Sequence, residues 1–174
     1  YYPQHIGKVE LAGGVPVPVA LDAENGFAID TDRIEAAITP KTKMIVLINP
    51  CNPTGRVYTR AELEALADIA RRHDLIVVSD EVYEEITYDH AKHVSIASLP
   101  GMDERTVTLF AFTKSYAMDG WRIGYLVAPK QAVSAILKIT ANDVTHVNTF
   151  VQEGALAALT GDASVLTELV ADDR

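Results

Sequence analysis

Short apolar, β-branched runs alternate with helically spaced ones along most of this chain. Met44-Ile45-Val46-Leu47-Ile48 is continuously apolar, the pattern of a strand covered on both faces. Leu75-Ile76-Val77-Val78 is a second such run, followed at once by Ser79-Asp80. Between them, Thr59-Arg60-Ala61-Glu62 has the capping-box spacing, with Thr59 as cap and Glu62 reaching back. The helix it opens carries Leu63, Leu66, Ala67, Ile69 and Ala70 on one side. Strand, helix, strand at this spacing predicts a βαβ unit with a right-handed crossover. Residues 106–112 and 123–128 predict two more strands, and residues 15–21 another, with Gly13-Gly14 as the turn before it. Residues 31–38 predict a short helix capped by Asp30 or Thr31 and stopped at Pro40. From Pro129 onward the pattern turns helical, with Val133, Ile136, Leu137 and Ile139 in period. A second helix is expected over residues 149–159, ending at Gly161, and a third includes residues 166–170 and stops in Asp172-Asp173-Arg174. The expected class is α/β, a mostly parallel sheet flanked by helices.

This arrangement has a consequence for polar residues. Asn52 follows one strand, Asp80 the next and Lys114 a third. Parallel strands would put all three at one carboxyl edge, where α/β sheets bind ligands.

Each of the three lies in a distinctive stretch. Asn49-Pro50-Cys51-Asn52-Pro53-Thr54-Gly55 demands a rigid, extended-then-turned loop. Its amide can donate a fixed hydrogen bond to a ligand oxygen, although Asn, Pro and Gly are also ordinary turn residues. In Ser79-Asp80-Glu81-Val82-Tyr83, a carboxylate ending a buried strand needs a partner. A protonated ring nitrogen would serve, and so would the amino end of a following helix. Glu81, Glu84 and Glu85 read as a solvated face. Lys114 stands just past the strand that ends in Phe112, and Arg122 follows eight residues later in Gly120-Trp121-Arg122-Ile123-Gly124-Tyr125. An amine can form an imine with a carbonyl-bearing cofactor, and a guanidinium can hold its phosphate. The bland alternative is two surface cations.

Composition narrows the field. Of 174 residues, 48% are hydrophobic and 22% charged, an ordinary globular composition with enough chain for a sizeable core. The net charge of -9 argues against nucleic acid and anionic membranes as partners. No apolar run approaches the length of a membrane span. Cys51 is the only cysteine, so no internal disulfide can form, and a cytoplasmic location is the expectation. His5, His73, His90, His93 and His146 lack metal-ligand spacing, and no metal is expected.

Taken together, Asn-Pro-x-Asn-Pro-Thr-Gly, Asp-Glu-x-Tyr, and Lys with Gly-Trp-Arg-x-Gly-Tyr resemble the class I/II aminotransferases, pyridoxal-phosphate enzymes of fold type I. The motifs run from Asn49 to Tyr125, and the stretch from Tyr2-Pro3 to Gly13-Gly14 is similar to what precedes the family's central strands. The resemblance implies pyridoxal 5′-phosphate as cofactor and Lys114 as the residue that forms the internal aldimine and shuttles the proton. It implies that Asp80 pairs with the pyridine nitrogen, that Asn52 and Tyr83 hydrogen-bond the 3′ oxygen, and that Arg122 binds the phosphate. Tyr2 would stack on the ring, and Thr113 would add a hydroxyl near the phosphate. An amino acid and a 2-oxo acid would be the substrates, and a homodimer the assembly.

There are departures. Where many members carry a serine three residues before the lysine, this chain has Ala111. It is less than half the usual family length and lacks the upstream glycine-rich phosphate loop and the downstream carboxylate-gripping arginine. Residues 1–174 are therefore expected to be the central portion of the cofactor-binding large domain, poorly active alone. Two alternatives share the motifs. One is another fold type I enzyme, such as a C–S β-lyase or a cyclopropane-forming synthase. The other is an aminotransferase-like effector domain of a transcription regulator.

Overall fold

Among the described residues, four strands form one sheet in the order β1-β2-β3-β4: β1 Met44–Ile48, β2 Ile76–Asp80, β3 Thr106–Ala111 and β4 Gly124–Val127. The computed structural model describes residues 2–172. Tyr1, and the Asp173-Arg174 end in which the last helix was expected to stop, lie outside the described residues. β1, β2 and β3 run parallel, with Ile48 opposite Asp80 and Asp80 opposite Leu109, so the three strands finish on one edge. β4 returns antiparallel, pairing Ala111 with Gly124. The link between β3 and β4 holds one 3₁₀ turn, Asp119–Trp121, and no crossover helix of the kind a parallel return needs.

Among the described residues, six helices accompany the sheet: α1 Pro3–Leu11, α2 Thr31–Ala37, α3 Arg60–Arg72, α4 Lys130–Asp143, α5 Thr149–Thr160 and α6 Ala163–Asp172. α3 is the crossover between β1 and β2. It starts where expected: Thr59 Oγ1 accepts from the Glu62 N–H, and the Glu62 carboxylate accepts from the Thr59 N–H at 2.8 Å. Its buried residues are the five in helical period, and four of them, Leu63, Leu66, Ala67 and Ala70, pack with Leu47, Leu75, Val77, Ile96, Leu99 and Met102 into the main core. Each Leu, Ile, Val or Met side chain among them contributes about 1.5–3 kcal/mol by leaving water. A smaller cluster of Phe112, Met118 and Ala155 joins the segment after β3 to α5.

Two expectations about the fold are corrected. Residues 15–21 form no strand. Val15 is 84% and Val17 63% exposed, and Pro16 and Pro18 have no N–H to offer a ladder. The sheet is not covered on both faces along its length: Met44, Val46 and Ile76, neighbours on one face, are 47%, 39% and 46% exposed. α1 was not anticipated at all. Its proline stands in the first turn, where no intrahelical bond is lost, but it buries no residue fully and so leaves little periodic trace. Among the described residues, no single helix is long and apolar enough to cross a membrane.

Candidate active site

The loop after β1 begins as an extension of the sheet. The Asn49 N–H donates to the Asp80 carbonyl at 3.0 Å. Both Asn-Pro peptides, 49–50 and 52–53, are cis. Gly55, at φ 70°, turns the chain so that its N–H reaches the Cys51 carbonyl at 2.7 Å, a conformation that favours glycine. The loop presents Asn52, whose Nδ2 donates to the Tyr83 hydroxyl at 3.3 Å.

Asp80 closes β2. Because strand side chains alternate, Ser79 and Glu81 point to one face and Asp80 to the other. Asp80 does not cap a helix; a turn follows, in which the Val82 N–H approaches its Oδ1 at 3.4 Å. Its other oxygen meets His5 Nε2 at 2.9 Å, and these two side chains are only 14% and 16% exposed. His5 comes from α1, and its ring stands edge-on to Tyr2, centroids 5.9 Å apart.

Lys114 lies beyond the end of β3, after the buried Phe112 and the half-buried Thr113. Its Nζ stands 5.7 Å from the centre of the Tyr83 ring, close enough for a favourable cation–π contact. Ser115 beside it is buried, and its hydroxyl lacks a hydrogen-bond partner. Arg122 adopts the left-handed region (φ 53°, ψ 50°), uncommon for a residue with a side chain, and is exposed. Its Nη1 donates to the Asp119 carbonyl at 3.2 Å.

Asn52, Tyr83 and Lys114 are thus brought together, and Asp80 joins Tyr2 through His5. Arg122 and Thr113 stand on the same lysine-bearing segment, with Arg122 turned toward its own loop.

The family model described as "Aminotransferase class I and II" matches residues 1–172. The chain belongs to the class I and II aminotransferases. It is 44% identical over 166 residues to the aspartate aminotransferase of Musicola paradisiaca, covering 95% of this chain and 42% of that protein. It is 46% identical to aromatic-amino-acid aminotransferase 2 of Thermococcus litoralis, covering 90% of this chain and 40% of that one. Among solved structures, the aspartate aminotransferase of Thermus thermophilus with maleate superimposes with a TM-score of 0.92 at 39% identity, over 98% of this chain and 44% of that one. The aromatic aminotransferase of Pyrococcus horikoshii gives 0.90 at 43% identity, over 93% and 44%. The chain spans about two fifths of the length of these relatives.

Two features of this aminotransferase chain escaped the sequence reading. His5 is 75 positions from its partner Asp80, and the only hint was its place one helical turn after Tyr2. The second corrects an expectation outright, since Glu81 and Glu84 are not a solvated face. Glu81 is fully buried and accepts from Ser79 Oγ at 2.7 Å, Ser95 Oγ at 2.9 Å and His93 Nε2 at 2.9 Å. Glu84 is half-buried, and burial pushes its carboxyl up to about 7; only Glu85 is exposed. Among the described residues, no three potential ligands gather into a metal site.

Proposed function

We propose that the polypeptide containing this chain is a pyridoxal-phosphate-dependent aminotransferase, moving an amino group from an L-amino acid to a 2-oxo acid. Residues 1–174 are the central part of its cofactor-binding large domain. The observation that carries this reading is the convergence on Tyr83: Asn52 Nδ2 at 3.3 Å from its hydroxyl and Lys114 Nζ at 5.7 Å from its ring centre, delivered by the loops after β1, β2 and β3 of a class I and II aminotransferase chain.

The chemistry of the donor set fits the cofactor. An amine suits its carbonyl, and a carboxylate that already attracts an N–H donor, His5 Nε2, suits a protonated ring nitrogen. An amide and a phenol suit its ring oxygen, and a guanidinium suits its phosphate. Lys114, Asp80, Asn52, Tyr83 and Arg122 would hold it, with Thr113 near the phosphate and Tyr2 against the ring. When bound, it supplies a carbonyl for amine exchange and a ring that spreads negative charge from the substrate α-carbon. Lys114 is the base that takes the α-proton and returns it. Asp80 would hold a proton on the ring nitrogen, and His5 orients Asp80. Asn52 and Tyr83 would hold the ring oxygen.

The relatives' names make aspartate and an aromatic amino acid the first donors to try. Incubated with either and a 2-oxo acid, the protein is expected to form the matching oxo acid only when the acceptor is present. Release of ammonia or thiol without an acceptor would overturn transfer in favour of a lyase. With pyridoxal 5′-phosphate added, the wild type is expected to show a visible absorption band that Lys114→Ala abolishes. No band in the wild type would sink the cofactor assignment.

A further inference from the structure

Immediately behind the ring-contacting residues, on the opposite face of the sheet, lies a polar network that no step above uses. It begins at a backbone group whose role as donor is unambiguous. The Tyr58 N–H donates to Asn49 Oδ1 at 3.0 Å, which leaves the Asn49 amide nitrogen as a donor. That nitrogen reaches the Val94 carbonyl at 3.2 Å and His93 Nδ1 at 3.4 Å. His93 Nδ1 is therefore the acceptor and His93 Nε2 the donor, and Nε2 donates to Glu81 Oε2 at 2.9 Å. Glu81 Oε1 takes the hydroxyls of Ser79 and Ser95. Apart from the branch to the Val94 carbonyl, the donors run from Asn49 through His93 to the carboxylate, where the two serine hydroxyls also end. Asn49, Ser79 and Glu81 are fully buried, and the His93 side chain is 14% exposed.

A carboxylate buried this completely costs several kcal/mol unless its oxygens are satisfied. Here three donors satisfy it, so its position is strongly determined. What it determines follows from the chain. Glu81 is bonded directly to Asp80 and stands two residues before Tyr83; Asn49 stands three residues before Asn52. The backbone repeats the linkage, the Asn49 N–H donating to the Asp80 carbonyl at 3.0 Å, while the Glu81 N–H donates to the Leu109 carbonyl at 3.0 Å and ties the end of β2 to β3. The ends of β1 and β2 are thus pinned together from behind, and their forward-facing groups are Asn52, Asp80 and Tyr83.

We propose that Glu81 and His93, joined to Asn49, form a buried clamp that positions Asp80, Tyr83 and Asn52 for the cofactor ring. Glu81 and His93 are positioning residues, not catalytic ones, because they act through their neighbours. This inference rests on the cofactor reading above and deepens it.

The test uses the whole polypeptide containing this chain, titrated with pyridoxal 5′-phosphate and followed by visible absorbance, in wild type, Glu81→Ala, Glu81→Gln and Leu66→Ala. Leu66 is buried in α3, in the main core, and takes no part in the network. It controls for general loss of stability, read separately as Tm. Glu81→Ala is expected to weaken cofactor binding about tenfold and to move the pH midpoint of the band, because the groups facing the ring shift when the clamp is lost. Glu81→Gln keeps the side-chain volume but turns one acceptor into an NH₂ donor. It is expected to change both quantities in the same direction by less, and it serves if the alanine variant fails to fold. Leu66→Ala should lower Tm while leaving affinity and midpoint as in wild type. If the Glu81 variants lower Tm yet move affinity and midpoint no further than Leu66→Ala does, the clamp is overturned and the cofactor reading stands. A wild type that forms no band overturns both.

Discussion

Glu84 sits half-buried in the turn after β2, and its Oε2 has no hydrogen-bond partner. Burial pushes its carboxyl from 4.5 up to about 7; its own backbone N–H opposes the rise and the Glu85 carboxylate adds to it. A raised acid favours the protonated form in the folded state. Its stabilising contribution is complete below pH 4.5 and is lost as the pH rises through about 7. Glu84→Gln should therefore gain about 1 kcal/mol over wild type near pH 8, after allowance for partial solvent screening, and little near pH 4, as read from urea unfolding. The same three-acid stretch shows where residue-scale reading ends. Asn52, Asp80 and Lys114 were legible because each follows an apolar run, and an apolar run marks its own end. Glu81 was not, since a glutamate among glutamates looks solvated. Only the distant Ser95 and His93, supplied by a segment beyond the turn, make its burial tolerable. His5 was hidden for the same reason.

At the scale of elements, α3 shows local chemistry and packing in agreement. Burial would push the Glu62 carboxyl up, but hydrogen bonds from the Thr59 hydroxyl and N–H, Arg56 and the Ile29 N–H outweigh it and bring it to about 2. A depressed acid contributes stability that is present above 4.5 and lost as the pH falls through about 2. Thr59→Ala is expected to cost about 1 kcal/mol at neutral pH, measured by denaturant unfolding. The Glu62→Ala deficit at neutral pH should shrink steadily in acid. Gly124 is a different case: a Cβ there would lie 2.6 Å from the Phe110 carbonyl oxygen. Backbone cannot yield as a side chain does, so Gly124→Ala should loosen the β3–β4 pairing and cost about 1–3 kcal/mol in thermal or urea unfolding. Strands β1 to β4, α2 and α3, and the helical character from Pro129 onward, were readable because their periods and caps are local. Residues 15–21 misled because β-branched composition signals strand propensity, whereas a strand exists only where a partner edge meets it.

Across the whole molecule, large apolar side chains stay exposed on the helical end, among them Leu137, Ile139, Phe150, Leu156 and Val165. The site is open as well, with Lys114 and Arg122 both exposed. Charges facing water are screened and poorly held, so the 174-residue chain alone should transaminate at least about a hundredfold more slowly than the polypeptide that contains it. A rate comparison under saturating pyridoxal 5′-phosphate checks this. Taken alone, the order of apolar runs determined the α/β class, and the residues following those runs determined which groups reach the carboxyl edge. Hydrophobic period and strand ends are properties of neighbouring residues, so both are written locally. Tertiary structure alone decided that His5 meets Asp80, that Glu81 goes inward to His93 and Ser95, that β4 reverses, and that part of one sheet face stays bare. Those outcomes depend on which distant segments arrive to satisfy a buried charge or cover an apolar surface, and no local pattern records an arrival.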